Sequence, residues 1–280
     1  WRVELTSAGL GEALAADVTW LALPADTTTP DGEDRGRGVL NMLGAPALRP
    51  GSNSLWIPAT SSNVLRGGSR DGLPLNHENT VRAAAARLDT DGVERAPRLD
   101  FNNRALPRAI AFSPLGDWAF VVLQGSNSVQ IVDAFSGAMV GALSGTGAAP
   151  QDVLITPDGR TAFVHGFLSR TVTAYDLGPL LDGTSLDARR IGTTRTDGRE
   201  PLAADVLRGK QIFYDASDPR MSLDGYIACA SCHLDGAHDG QTWDFTDRGE
   251  GLRNTIDLRG RGGVAHGPLH WTANFDEVQD

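Results

Sequence analysis

The 280-residue chain reads as a mainly-β repeat region followed by a small mainly-α module. Three observations predict that order. A block of sequence recurs with a period of about 43 residues over 107–186. The only two cysteines stand together as Cys229-Ala-Ser-Cys232-His233, well beyond the repeats. Finally, 33 glycines and 15 prolines make the chain turn-rich, which favours many short strands over long helices.

Residues 107–143 and 150–186 align without a gap. Pro107 falls on Pro150, Pro114 on Pro157 and Gly116 on Gly159, and Ala119-Phe120-Val121 falls on Ala162-Phe163-Val164. Val129 and Asp133 likewise match Val172 and Asp176. Each copy predicts a strand (109–113, 152–156), a tight Pro-x-Gly turn, and a second strand of small and β-branched residues. A third, alternating strand (128–132, 171–175) ends at an Asp that opens the next turn. A period just over 40 with several strands per copy is the signature of a β-propeller blade.

A weaker copy precedes these. Arg49-Pro50-Gly51-Ser52-Asn53-Ser54-Leu55-Trp56-Ile57 matches Ser113 to Val121, and the polar stretch from Gly67 to Arg104 supplies the extra residues as an insertion. A loop of that length is either functional or loosely ordered. Within it, Asp89-Thr90-Asp91-Gly92 hints at a calcium loop, but the later acidic ligands are missing and a solvated turn fits better. Residues 1–40 are expected to hold the end of an earlier blade and a flexible segment, Asp26 to Gly38. The blade units are thus about 45–105, 107–149 and 150–190, within a propeller segment 1–190. Three blades cannot close a ring. The chain also opens at Trp1 without a signal peptide and stops at Asp280 in an apparent helix, so it is expected to be a piece of a longer, processed protein.

Cys229-Ala-Ser-Cys232-His233 is the attachment signature of a c-type haem. Each cysteine can form a thioether to one vinyl group, and the short turn sets His233 under the iron as proximal ligand. A redox-active dithiol and half of a zinc site are the competing readings, though no second CxxC exists. Upstream, Leu202 to Tyr214 reads as a short amphipathic helix whose Gly209 would admit a neighbouring element or a porphyrin edge.

Two resemblances follow from these residues. The run Thr156-Pro157-Asp158-Gly159-Arg160-Thr161-Ala162-Phe163-Val164 resembles the YVTN-type propeller repeats, over roughly 45–186. Residues 201–280 resemble the cytochrome c peroxidase-like, di-haem peroxidase family. That match rests on Arg208 to Asp215, Ser222 to His233, Leu252-Arg253-Asn254-Thr255 and Pro268 to Asp276. The resemblance implies a small, mainly-α cytochrome domain binding haem c through Cys229, Cys232 and His233. One attachment site stands where the family has two, and Thr246-Asp247 occupies the place of the family's distal histidine. The sixth iron ligand then falls to His270, in the family-like Pro-Leu-His-Trp segment, or to His266, His238 or Met221, or the position is open. Trp243, Phe245 and Trp271 would line a haem pocket or simply build a core. Arg253 would meet a propionate or form an ordinary ion pair, while His77 and His165 are expected to be structural.

The net charge of −10 argues against a nucleic-acid partner, and no apolar run reaches membrane-spanning length. The expected function is electron transfer outside the cytoplasm, with a redox partner protein or small donor or acceptor, extending to peroxidase-like oxidoreductase chemistry. The competing function is a propeller binding scaffold of the cell envelope with an accessory cytochrome. No Ser-His-Asp set, phosphate loop or HExxH motif supports a hydrolase or nucleotide site.

Overall fold

The structure, a computed structural model, describes residues 2–5, 16–19, 23–196 and 200–259. A first hairpin pairs β1 (Arg2–Leu5) with β2 (Ala16–Thr19). The first blade joins β3 (Val39–Asn41) and β4 (Ala47–Leu48), both on β5 (Ser54–Ser62), to β6 (Val81–Asp89) and β7 (Glu94–Phe101). The second runs β8 (Pro107–Phe112), β9 (Trp118–Leu123), β10 (Ser128–Asp133) and β11 (Met139–Leu143) in sequential antiparallel order. The third repeats that order with β12 (Pro150–Ile155), β13 (Thr161–Gly166), β14 (Thr171–Asp176) and β15 (Arg189–Arg195), and one helical turn, α1 (Gly178–Leu181), precedes β15. A fourth strand thus completes each repeat read from the sequence. The three sheets form an arc of a β-propeller.

The Pro-x-Gly turns fold as the repeat requires. Gly116 and Gly159 have φ of +70° and +74°, and their N–H groups donate back to Ser113 O and Thr156 O, each at 2.8 Å. Adjacent blades meet along their inner strands. Ala45 bridges Ala109 in parallel, and a side chain at Gly44 would strike the Arg108 carbonyl.

Alternation along β9 builds the core in both directions. Ala119, Val121 and Leu123 pack towards the first blade with Trp56, Ala85 and Phe101. Phe120 and Val122 pack towards the third with Val153, Val164 and Tyr175. The same positions one repeat later are bare: Phe163 is 38% exposed where Phe120 is 1%, and Leu154, its cross-strand partner, is 59% exposed. Among the described residues no further blade covers that face.

Two expected loops are ordered. The Gly67-to-Arg104 stretch contains β6 and β7, and Asp89-Thr90-Asp91-Gly92 is the hairpin turn between them. There the Asp89 carboxylate accepts the N–H groups of Asp91 (3.0 Å) and Val93 (2.8 Å). The true insertion is the loop 63–80. The segment from Asp26 to Gly38 is not free either, since Asp26 and Gly38 pair as an antiparallel bridge. Asp31 pins it from inside, accepting from Asn63 Nδ2 (3.1 Å) and Arg66 Nη1 (2.6 Å).

Residues 200–259 do not make a mainly-α domain. They hold one helix longer than a turn, α2 (Ala204–Tyr214), four 3-10 turns, and a hairpin of β16 (Thr242–Phe245) and β17 (Gly251–Asn254). The physical reason is local. Left-handed residues recur at Asp224, Asp235, Gly240 and Gly249, too closely spaced for a long helix to run between them. Nor do these residues stand apart from the blades: Tyr214, Ala216, Ala228 and Ala230 share one buried cluster with Ala105, Leu106, Ala149 and Leu168.

The repeat registry yields a stability contrast. Phe120→Ala should cost about 3–5 kcal/mol in denaturant unfolding, whereas Phe163→Ala should cost at most about 2 kcal/mol. Equal midpoint shifts would mean that both phenylalanines are equally buried.

Candidate functional site

Cys229-Ala-Ser-Cys232-His233 is a tight turn held from both sides. Cys229–Ser231 forms a 3-10 turn, and the Cys229 carbonyl accepts the N–H groups of Cys232 (3.3 Å) and His233 (3.0 Å). Ser231 is buried, and its hydroxyl accepts the Ala228 N–H at 3.0 Å, which closes the turn on itself. Small residues at 228 and 230 let the turn lie flat against the blade ends. Cys229 is left exposed, while Cys232 packs with Val64, Leu75, Val81, Ile227 and Trp243.

The imidazole of His233 is oriented by its own loop. Its Nδ1 lies 3.2 Å from the Ala237 carbonyl oxygen, so Nδ1 is the protonated nitrogen and Nε2 keeps a free lone pair. Ala237 is placed by the 3-10 turn Leu234–Gly236, and Leu258 donates to Gly236 O at 2.8 Å. From α2, the Tyr214 hydroxyl donates to Asp235 Oδ1 at 2.5 Å, and burial beside that carboxylate pushes the Tyr214 phenol well above its usual range.

The thiol chemistry is equally directed. Burial, with the Asp239 carboxylate and Cys229 nearby, pushes the Cys232 thiol up to about 12. A redox-active CxxC pair needs its exposed, attacking thiol lowered, and burial raises the Cys229 thiol as well.

The insertion loop 63–80 clamps this segment. Asp244, on β16, is buried, and its Oδ2 accepts both the N–H and the hydroxyl of Ser69 at 2.8 Å. Its Oδ1 accepts the N–H (3.1 Å) and hydroxyl (2.5 Å) of Thr246. Those four donors hold the Asp244 carboxyl well below the usual carboxylate range. Arg70 Nη2 adds a bond to Thr242 O at 3.1 Å. A side chain at Gly67 (φ +145°) would overlap the Asp244 carboxylate, so only glycine lets the loop come this close. On the opposite side Asn127 ties two blades to α2. Its Nδ2 donates to Asp215 at 3.0 Å, its Oδ1 accepts the Ala149 N–H at 2.8 Å, and its own φ is +50°.

The other expected site residues sort as follows. His266, His270 and Trp271 lie outside the described residues. Met221 is 53% exposed in the turn before the motif. His238 is exposed and accepts the Gly240 N–H at Nδ1, 3.1 Å. Trp243 is core, buried with its Nε1 on Asp239 Oδ2 at 2.9 Å, and Phe245 packs on the same cluster. Arg253 pairs with Glu250 at 3.4 Å, and Thr246 caps Asp244. Gly209 faces open space, with nothing within 4 Å of where a side chain would start. His165 lies on β13 beside a 400 Å³ cleft between the inner strands, whereas His77 leaves the blades altogether and meets Asp224 at 3.2 Å. Sequence reasoning missed Ser69, Asp244, Asn127 and Ala237. The glycine pair Gly67-Gly68 was the one visible hint that another element comes close.

No family model matches the chain, and no curated protein matches it. Solved structures with similar folds include the hydrazine synthase of Kuenenia stuttgartiensis, at 15% identity and TM-score 0.37 over 51% of this chain and 47% of that one. The periplasmic gluconolactonase PpgL of Pseudomonas aeruginosa gives 15% identity and TM-score 0.39 over 61% and 49%. A protein from Lactobacillus plantarum gives 13% and 0.38 over 59% of each chain. The chain spans roughly half the length of these structures. Likeness at this level assigns neither substrate nor activity.

Two tests follow from the clamp. Gly67→Ala should lower Tm and open 63–80 to limited proteolysis, because the added methyl and the Asp244 carboxylate cannot share one place. Asp244, with its pKa depressed in the folded state, contributes stability that is complete above about pH 4 and is lost as pH falls further. Asp244→Asn should therefore be less stable than wild type at pH 7, with the gap closing on acidification below pH 4. A gap that stays constant in urea titrations from pH 7 to pH 3 would show that Asp244 is not acting as a charged acceptor.

Proposed function

We propose that this chain is an extracytoplasmic electron-transfer protein in which an arc of propeller blades carries a covalently attached haem c. The observation that carries the reading is His233, set directly after Cys232 with Nδ1 on a backbone carbonyl and Nε2 left free. Cys229 and Cys232 would hold the haem as thioethers, and His233 would be its proximal ligand. When bound, the haem supplies a one-electron couple between ferrous and ferric iron. The chain's own contribution is orientation and dryness. Ala237 fixes the imidazole tautomer, and the clamp from Ser69 to Asp244 holds the turn against the blades. The raised thiol of the exposed Cys229 speaks against the dithiol reading.

We assign the sixth ligand to His270, with His266, His238 and Met221 as the competing donors. The net charge of −10 suits a basic redox partner. Peroxidase-like chemistry would need an open sixth position. The second reading is a cell-envelope binding scaffold, which needs only the blade arc. A Phe163→Asp variant that keeps its Soret band but loses a co-purifying partner would select it.

Protein made with a periplasmic haem-ligation system should weigh one haem more than its polypeptide and show a Soret band that survives denaturation. The Cys229→Ala, Cys232→Ala double variant should lose both. A six-coordinate spectrum unmoved by peroxide or carbon monoxide would select electron transfer over peroxidase chemistry. A polypeptide-only mass with no Soret band would end the redox reading.

A further inference from the structure

We propose that His77, Glu78 and Asp224 form a divalent-cation site, zinc by its donor set, that ties the insertion loop to the segment bearing Cys229 and Cys232. His77 Nε2 lies 3.2 Å from Asp224 Oδ2 and 3.9 Å from Glu78 Oε1, and the three ligand atoms all fall within 4.8 Å of one another. Among the described residues this is the one group of three such side chains with converging ligand atoms. Zinc bonds of about 2.0–2.2 Å in tetrahedral geometry separate their donors by about 3.3–3.5 Å. Two of the separations, 3.2 and 3.9 Å, already bracket that spacing.

The chemistry of the donors selects the ion. One imidazole and two carboxylates make a mixed nitrogen and oxygen set, whereas calcium and magnesium favour oxygen throughout. Two carboxylates also converge on one imidazole nitrogen, which carries at most one proton. An ion pair would satisfy one carboxylate and leave the other beside a like charge, and a surface pair of that kind contributes little. A cation answers both. His77 and Glu78 are about one-third exposed and Asp224 about half, so an ion can enter and keep water in its fourth position.

The backbone presents the three ligands without help from the ion. Asn76 Oδ1 accepts the N–H groups of Glu78 and Asn79, each at 3.0 Å, which folds the loop so that His77 and Glu78 emerge together. Asp224 sits at φ +55° in the turn Leu223–Gly225. The buried Tyr226 ring lies 6.2 Å from the His77 ring and limits its swing, and its hydroxyl is bonded to Asn102. The ligands come from positions 147 apart in sequence, so the bound ion would close a long loop and act as a staple.

The site requires no haem and stands apart from the redox proposal. The full chain, stripped with EDTA, would be titrated with zinc chloride by calorimetry and followed by thermal unfolding. We expect one zinc per chain that is lost on Glu78→Gln, a variant that keeps the His77–Asp224 pair, with affinity falling at least tenfold. His77→Ala and Asp224→Asn should do the same. Zinc at about a hundredfold over Kd should raise Tm by about 5 °C in the wild type and not in the variants. Absence of zinc binding, or an affinity unchanged in Glu78→Gln and His77→Ala alike, would overturn the proposal.

Discussion

The Asp244 carboxylate is the constraint on which the C-terminal part of this molecule depends. It is buried, it is charged, and every donor it uses comes from one of two places: the insertion loop through Ser69, or its own strand end through Thr246. A buried charge left without those donors would be costly, so loop and strand must fold together or not at all. Around that point Val64 and Leu75 of the insertion and Val81 of β6 meet Trp243, Ile227 and Cys232. The cysteine turn closes its own local hydrogen bonds but takes its packing from these neighbours. It is held between the insertion on one side and the ends of the second and third blades on the other.

That arrangement gives the insertion a role. Propeller blades need only short connections, and a loop of residues 63–80 in a tight repeat costs ordering entropy that something must offset. Here the return is a wall for the cysteine turn. Asn127 performs the matching task opposite, where a left-handed backbone and a fully used amide join the blade loops to α2. The blades are thus a platform, and the loops at one end of them are where the chemistry-bearing residues collect.

Much of the blade architecture was legible in the sequence, because the signals were local and repeated. Pro114 and Pro157, Gly116 and Gly159, and the alternation through Phe120 and Phe163 each report a turn or a strand face directly. The difference between Phe120 and Phe163 was not legible, since burial there depends on whether another sheet covers the face. The cysteine motif was plain, and the described residues around it hold one helix of eleven residues with short turns and a hairpin. The resemblance to a mainly-α cytochrome domain met left-handed residues at Asp224 and Asp235 that no helix pattern reveals. The insertion was taken as one long polar stretch because β6, Val81-Arg-Ala-Ala-Ala-Ala-Arg-Leu-Asp89, has alanines where a strand usually shows β-branched residues. Its strand state comes from pairing on β5, a tertiary effect. Asp244 and Ser69, 175 positions apart, carry no mutual signal in a single sequence.

The most direct measurement of the central claim, that insertion and cysteine turn are one cooperative unit, is amide hydrogen exchange on the intact chain. Exchange at Cys232 and His233, whose N–H groups are held by Cys229 O, should match exchange at Ser69, whose N–H is held by Asp244. Replacing Asp244 with Asn should accelerate all three by a common factor while β9 and β13 stay protected. If Ser69 opens in that variant and Cys232 and His233 do not, the turn is supported by something other than the clamp.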